Sequence, residues 1–161
     1  MCPPLGGIRQ NRVLRTRFVY FLAVSVLVTA GLISAASADE EVKIIAPNSV
    51  EYKSYPNLPG VGVALVSGNL KQGAYTVRTK LMPGTIVPAH FHPDTRTVTV
   101  ISGTYHFAEG DSFDEGKLQG YGPGTAIVVP AGKPHFVSAR DDEVIIQESG
   151  IGPTAVTPAK Q

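Results

Sequence analysis

The sequence predicts an all-β fold, a sandwich or small barrel in one domain, and three observations predict it. Short runs rich in Val, Ile, Thr and Tyr recur along the chain, and glycine and proline interrupt them every few residues. No long stretch carries helical periodicity. Many short strands parted by turn residues are how two-layer β folds are written.

The first element stands apart from the rest. Arg9, Arg12, Arg15 and Arg17 form a basic stretch without an acid, an apolar run follows from Phe18 to about Ile33, and small residues end in Ala36-Ser37-Ala38. Basic, apolar, then small-x-small is the order of a secretory signal peptide, so residues 1–38 are expected to be removed after Ala38 and the protein to be periplasmic or secreted. A retained anchor is the rival, since about 16 apolar residues approach the ~20 that cross a bilayer. The Ala-Ser-Ala ending favours cleavage, and the absence of paired arginines before the apolar run favours the general secretion route.

The leader holds four of the 14 basic residues and none of the 13 acidic ones, leaving ten against 13 and a formal charge of −3. No basic patch survives, which argues against nucleic acid or an anionic membrane as a partner. Cys2 is the single cysteine and leaves with the leader, so the exported chain has no disulfide and no thiolate. The remaining length suits one domain with one core.

Strands are expected at 42–46, 61–66, 74–81, 96–101, 125–129, 136–139 and 144–147. Tyr75-Thr76-Val77-Arg78 and Thr97-Val98-Thr99-Val100 alternate as strands with one buried face do. The polar stretch from Glu109 to Gly122 reads as a surface loop or a single helical turn, because glycines at 116, 120 and 122 oppose a long helix. The domain is set at residues 39–152, with 153–161 a loosely ordered tail.

Chemistry concentrates in two glycine-bracketed segments, GTIVPAHFHPDTRTVTVISG (Gly84 to Gly103) and GTAIVVPAGKPHF (Gly124 to Phe136). On a strand His90 and His92 point the same way, and Arg96 shares their parity if the strand runs on unbroken. His135 in the second segment is a third candidate ligand. Pro130-Ala131-Gly132 supplies a fixed φ and then a residue free to take positive φ, as a tight turn before His135 needs.

These segments resemble the two motifs of the cupin family. The first is Gly, five residues, His-x-His, three or four residues, Glu, six residues, Gly; here Gly84, His90, His92 and Gly103 are in register and Arg96 stands in place of Glu. The second is Gly, five residues, Pro-x-Gly, two residues, His, three residues, Asn; Gly124, Pro130, Gly132 and His135 match and Ala139 replaces Asn. The resemblance implies a jelly-roll β-barrel and a divalent metal held by His90, His92 and His135. The metal is Fe, Zn, Ni, Mn or Cu, since three imidazoles suit several. Pairing into a homodimer is also expected on the family's account alone.

Arg96 cannot be a ligand, because a guanidinium stays protonated and only donates. Three roles are open to it: anchoring an anionic substrate by a bidentate contact, opposing metal binding in an empty barrel, or pairing with Asp94. Glu148, after the second motif, is a candidate for the missing carboxylate ligand if it faces inward. His106 reads as a surface or hydrogen-bonded histidine, with Tyr105 and Phe107 on the opposite, core-facing side of its strand. Asp111, Asp114 and Glu115 lack the spacing of a calcium loop. No Ser-His-Asp spacing or phosphate loop appears, and no acid–base residue is assigned. Two functions follow: a dioxygenase-like metalloenzyme acting on a small anionic molecule held by Arg96, or a non-catalytic module that binds or senses a small ligand or metal.

Overall fold

Two antiparallel sheets face each other across one core. The computed structural model describes residues 41–160, and its strands are β1 (Lys53–Ser54), β2 (Val61–Gly68), β3 (Gly73–Leu81), β4 (Ile86–Phe91), β5 (Arg96–Ser102), β6 (Tyr105–Glu109), β7 (Gln119–Tyr121), β8 (Ala126–Val129), β9 (His135–Ser138), β10 (Val144–Gly152) and β11 (Thr157–Pro158). One sheet runs β1-β2-β3-β10-β5-β8 and the other β11-β4-β9-β6-β7. The chain changes sheet between β3 and β4, β4 and β5, β5 and β6, and again later, which makes a jelly roll. The expected barrel is thus two facing sheets rather than one closed ladder.

Alternation builds the core. In β3, Tyr75, Val77, Thr79 and Leu81 are buried at every second position, and in β5 Arg96, Val98 and Val100 are. Val61, Leu81, Val98, Val100, Val144 and Ile146 from the larger sheet meet Val87, Tyr105, Phe107 and Val137 from the smaller. Full burial of such a side chain contributes about 1.5–3 kcal/mol. β9 is buried on both faces, because Phe136 packs outward with Ala89 and Ala108 under Leu118 and Ala159.

Three expectations need correction. Val42–Ala46 is not a strand: Val42 and Ile44 are 92% and 87% exposed, and a 3-10 turn follows at Pro47–Ser49. A β-rich run without a neighbouring strand has nothing to pair with. Gln119–Tyr121 is a strand despite Gly120, because β6 supplies the ladder. The segment from residue 153 onward, expected to be loose, is tied down: Thr157 and Pro158 pair with Phe91 and His90, and the Ala159 N–H donates to the Ala89 carbonyl. The single helical turn is present at Glu115–Lys117, with the Asp114 side chain accepting from the Gly116 N–H. The leader and Cys2 lie outside the described residues, among which no helix is long and apolar enough to cross a membrane.

Candidate metal centre

A bulge aims the histidines. β4 and β9 are neighbours with His90 directly opposite His135, and the register slips between Val87 and His90. Val87 faces the core between the sheets while Ala89 faces the outer cluster around Phe136. Strict alternation would then send His90 outward with no help from its neighbours. The extra residue at Pro88-Ala89 turns His90 inward, and proline is tolerated at such a place. His92, just past the strand end, comes to the same side.

His90, His92 and His135 are 8%, 4% and 4% exposed, and one ring nitrogen of each lies within 4.8 Å of the other two. Each Nδ1 already has a partner: Pro88 O at 2.8 Å for His90, Ala155 O at 2.8 Å for His92 and Lys133 O at 3.0 Å for His135. A carbonyl only accepts, so each Nδ1 carries the proton and each Nε2 keeps a free lone pair. This is how histidine ligands are commonly oriented. Burial pushes the His92 imidazole down to about 4, assisted by the Arg96 charge, and His135 down to about 4, assisted by His90. His90 is lowered as well, again first by burial. Three neutral imidazoles with converging Nε2 atoms are positioned to hold a divalent metal, and Phe107 stacks on His135 at 5.4 Å to fix its ring.

Arg96 reaches the interior by a different route from the one expected. The strand does not run on: β4 ends at Phe91, and Arg96 opens β5 in the opposite sheet. Its Nη1 donates to Glu148 Oε1 at 3.0 Å, and its Nη2 donates to Asp94 Oδ1 at 2.8 Å and to Thr154 Oγ1. Tyr75 donates to the other Asp94 oxygen, and Thr79 Oγ1 donates to Glu148 Oε2 at 2.7 Å. Burial pushes the Glu148 carboxyl up, but the Arg96 charge and the Thr79 hydrogen bond hold it below its ordinary value. Asp94 is likewise lowered, hydrogen bonds from Thr154, Tyr75 and Arg96 outweighing burial. The fork of Arg96 is therefore spent on this chain's own carboxylates, and the bidentate anion anchor expected of it is already occupied.

The cupin domain family matches residues 77–146, which take in both histidine segments. The chain carries a cupin domain over these residues. No curated protein matches it in sequence. Among solved structures it is similar to the polyketide cyclase RemF from Streptomyces resistomycificus, with TM-score 0.63 and 17% identity over 75% of this chain and 87% of that one. A double-stranded beta-helix protein from Klebsiella pneumoniae gives TM-score 0.58 and 19% identity over 75% of this chain and 100% of that one. The DMSP lyase DddQ from Ruegeria pomeroyi gives 0.56 and 16% over 71% and 64%. At such identities the likeness is one of fold.

The remaining candidates fall into place within this cupin. Glu148 does face inward, but both its oxygens are engaged and it is not grouped with the three histidines. His106 faces away from the centre, on the side of β6 opposite Tyr105 and Phe107, and its buried Nδ1 has no partner among the described residues. Asp114 caps its own turn. Thr154 and Ala155 join the site without any signal in sequence, since an acceptor carbonyl belongs to every residue. A cavity of about 170 Å³ adjoins the histidines, walled mainly by Val63, Val77, Leu81, Val98, Val137 and Ile146.

Proposed function

We propose that this cupin holds one divalent transition metal on His90, His92 and His135 and acts as a metalloenzyme on a small molecule bound in the adjoining cavity. The observation that carries this reading is the set of three Nδ1–carbonyl hydrogen bonds, which leaves three Nε2 lone pairs converging. A divalent ion at that point would satisfy all three lone pairs together. Fe, Zn, Ni, Mn and Cu all fit an imidazole trio. A divalent ion there supplies Lewis-acid or redox chemistry at its open positions.

The chain's own residues set the conditions. The valines, Leu81 and Ile146 give the cavity a largely apolar lining. Arg96 keeps Glu148 ionised and holds one of its carboxylate oxygens. The C-terminal segment holds His92 through Ala155 O and Arg96 through Thr154. The basic, apolar, Ala-Ser-Ala order of residues 9–38 supports export of the form beginning near Asp39.

One observation favours the non-catalytic reading: the carboxylate that lines the cavity, Glu148, is locked to Arg96 and Thr79 and so is not free as a base. Thermal unfolding against a panel of Fe(II), Mn(II), Ni(II), Cu(II) and Zn(II) tests the metal. At least one ion should raise Tm by several degrees, as a ligand bound only by the folded state must, and His135→Ala should abolish the rise. A panel without effect on the wild type would overturn the proposal. Oxygen uptake or product formation by the loaded protein then separates enzyme from binding module.

A further inference from the structure

Apart from the three histidine Nε2 acceptors assigned above to the metal, most polar groups lining the cavity have hydrogen-bond partners. The three Nδ1 atoms hold carbonyls, Tyr75 holds Asp94, Thr79 holds Glu148, and Thr154 holds Arg96. Tyr55 is only half-buried, at the rim. Tyr105 is different. It is 3% exposed, it lines the cavity, and its hydroxyl has no hydrogen-bond partner among the described residues. Among the described residues, the fully buried side-chain polar atoms without a partner are Arg96 Nε, His106 Nδ1 and Ser138 Oγ. The Tyr105 hydroxyl is not among them, so it opens on the cavity. A phenol without a partner in an apolar chamber is a donor waiting for an acceptor. Burial, with the Glu148 charge behind it, raises its pKa far above the usual value and keeps the proton on.

The shape and charge of the chamber narrow what brings that acceptor. The Tyr105 and His135 rings line the chamber and offer a flat apolar body two ring surfaces, and Phe107 packs against both from outside the lining, with centroids 6.2 and 5.4 Å away. About 170 Å³ is close to the ~150 Å³ that takes up benzene in an apolar cavity. Arg96 is outnumbered by Asp94 and Glu148, one positive charge against two negative, so protein charges alone offer an anion no anchor. We propose that the cavity takes an uncharged, largely apolar carbonyl compound about the size of a single ring, whose oxygen accepts a hydrogen bond from Tyr105. Tyr105 is then the specificity residue of the chamber. This deepens the reading above, since the bound molecule lies beside the three histidines.

The test uses acetophenone, α-methylstyrene (the same shape with CH2 for the oxygen) and benzoate, titrated calorimetrically into purified protein in metal-free and metal-loaded form. In the metal-free wild type, acetophenone should bind about five-fold or more tighter than α-methylstyrene, the worth of one net hydrogen bond, and benzoate weakest. Tyr105→Phe should bring the ratio to about one while keeping α-methylstyrene within about two-fold, which also shows that the variant folds. In the wild type, the 13Cζ resonance of labelled Tyr105 should move with acetophenone and not with α-methylstyrene, a readout independent of the variant. An unchanged ratio in Tyr105→Phe, an unmoved resonance, benzoate binding tightest without metal, or no probe binding to folded protein would each overturn the inference. Because the decisive titrations need no metal, they stand if the metal centre fails, and the metal centre stands if they fail.

Discussion

Glu148→Gln probes the most unusual feature of this cupin, the arginine where the family has a glutamate. The Arg96, Asp94 and Glu148 side chains are 6%, 5% and 13% exposed, so all three charges are largely withdrawn from water. Removing one partner of a buried ion pair costs about 3–5 kcal/mol, mostly because the other charge is stranded. Here Asp94 remains and the glutamine oxygen can still accept from Nη1, so the cost should fall to about 2–3 kcal/mol. For a domain of this size that corresponds to a Tm lower by roughly 10 °C. Urea unfolding of the wild type, Glu148→Gln, Arg96→Met and the double variant closes a cycle. The pairing predicts a coupling energy of about 2 kcal/mol and a double variant less damaged than the sum of the singles. Coupling below about 0.5 kcal/mol, the level of an exposed pair, would refute the claim that Arg96 is held by Glu148 in a desolvated network.

Other consequences concern the same region. Truncation after Gly152 removes Ala155 O from His92 Nδ1 and Thr154 from Arg96, and metal affinity measured by chelator competition should fall about 10–100-fold. Gly150→Ala would set a Cβ 2.6 Å from Asp94 Oδ2 and 2.7 Å from the Tyr75 hydroxyl, both buried, so urea unfolding should show a loss of about 1–3 kcal/mol. His92 and His135 have folded pKa values near 4, below the unfolded 6.5, so the unfolded chain binds more protons as pH falls. Stability of the metal-free protein should therefore be full above about pH 6.5 and decline towards pH 4, with a limiting slope near 1.4 kcal/mol per pH unit for each group. A urea midpoint that stays flat across that window would contradict the buried, neutral state of the imidazoles.

Much of this architecture is legible in the sequence, for identifiable reasons. Strands such as 74–81 and 96–101 declare themselves because one face is apolar at every second residue. The histidines declare themselves because their spacing from the bracketing glycines is fixed by turns at Gly84, Gly103, Gly124 and Gly132, all at positive φ. What the sequence hides is non-local. The bulge at Pro88-Ala89 depends on how β4 meets β9, and strand parity would have carried Arg96 on in the same sheet as His92. Glu148 becomes the partner of Arg96 only through the register that sets Gly150 opposite Arg96 across β10 and β5. Ala155 contributes a backbone carbonyl, which no side-chain pattern announces. Val42–Ala46 has the composition of a strand but no neighbour to pair with, and composition alone cannot supply one.

The three histidines must act together as one metal site. The most direct measurement is the metal content of protein purified without an affinity tag and reconstituted with each candidate ion, beside a His90→Ala/His92→Ala variant. One equivalent of a single divalent metal in the wild type and almost none in the variant is the predicted result. Metal-free wild type after reconstitution, or equal metal in both proteins, would contradict it.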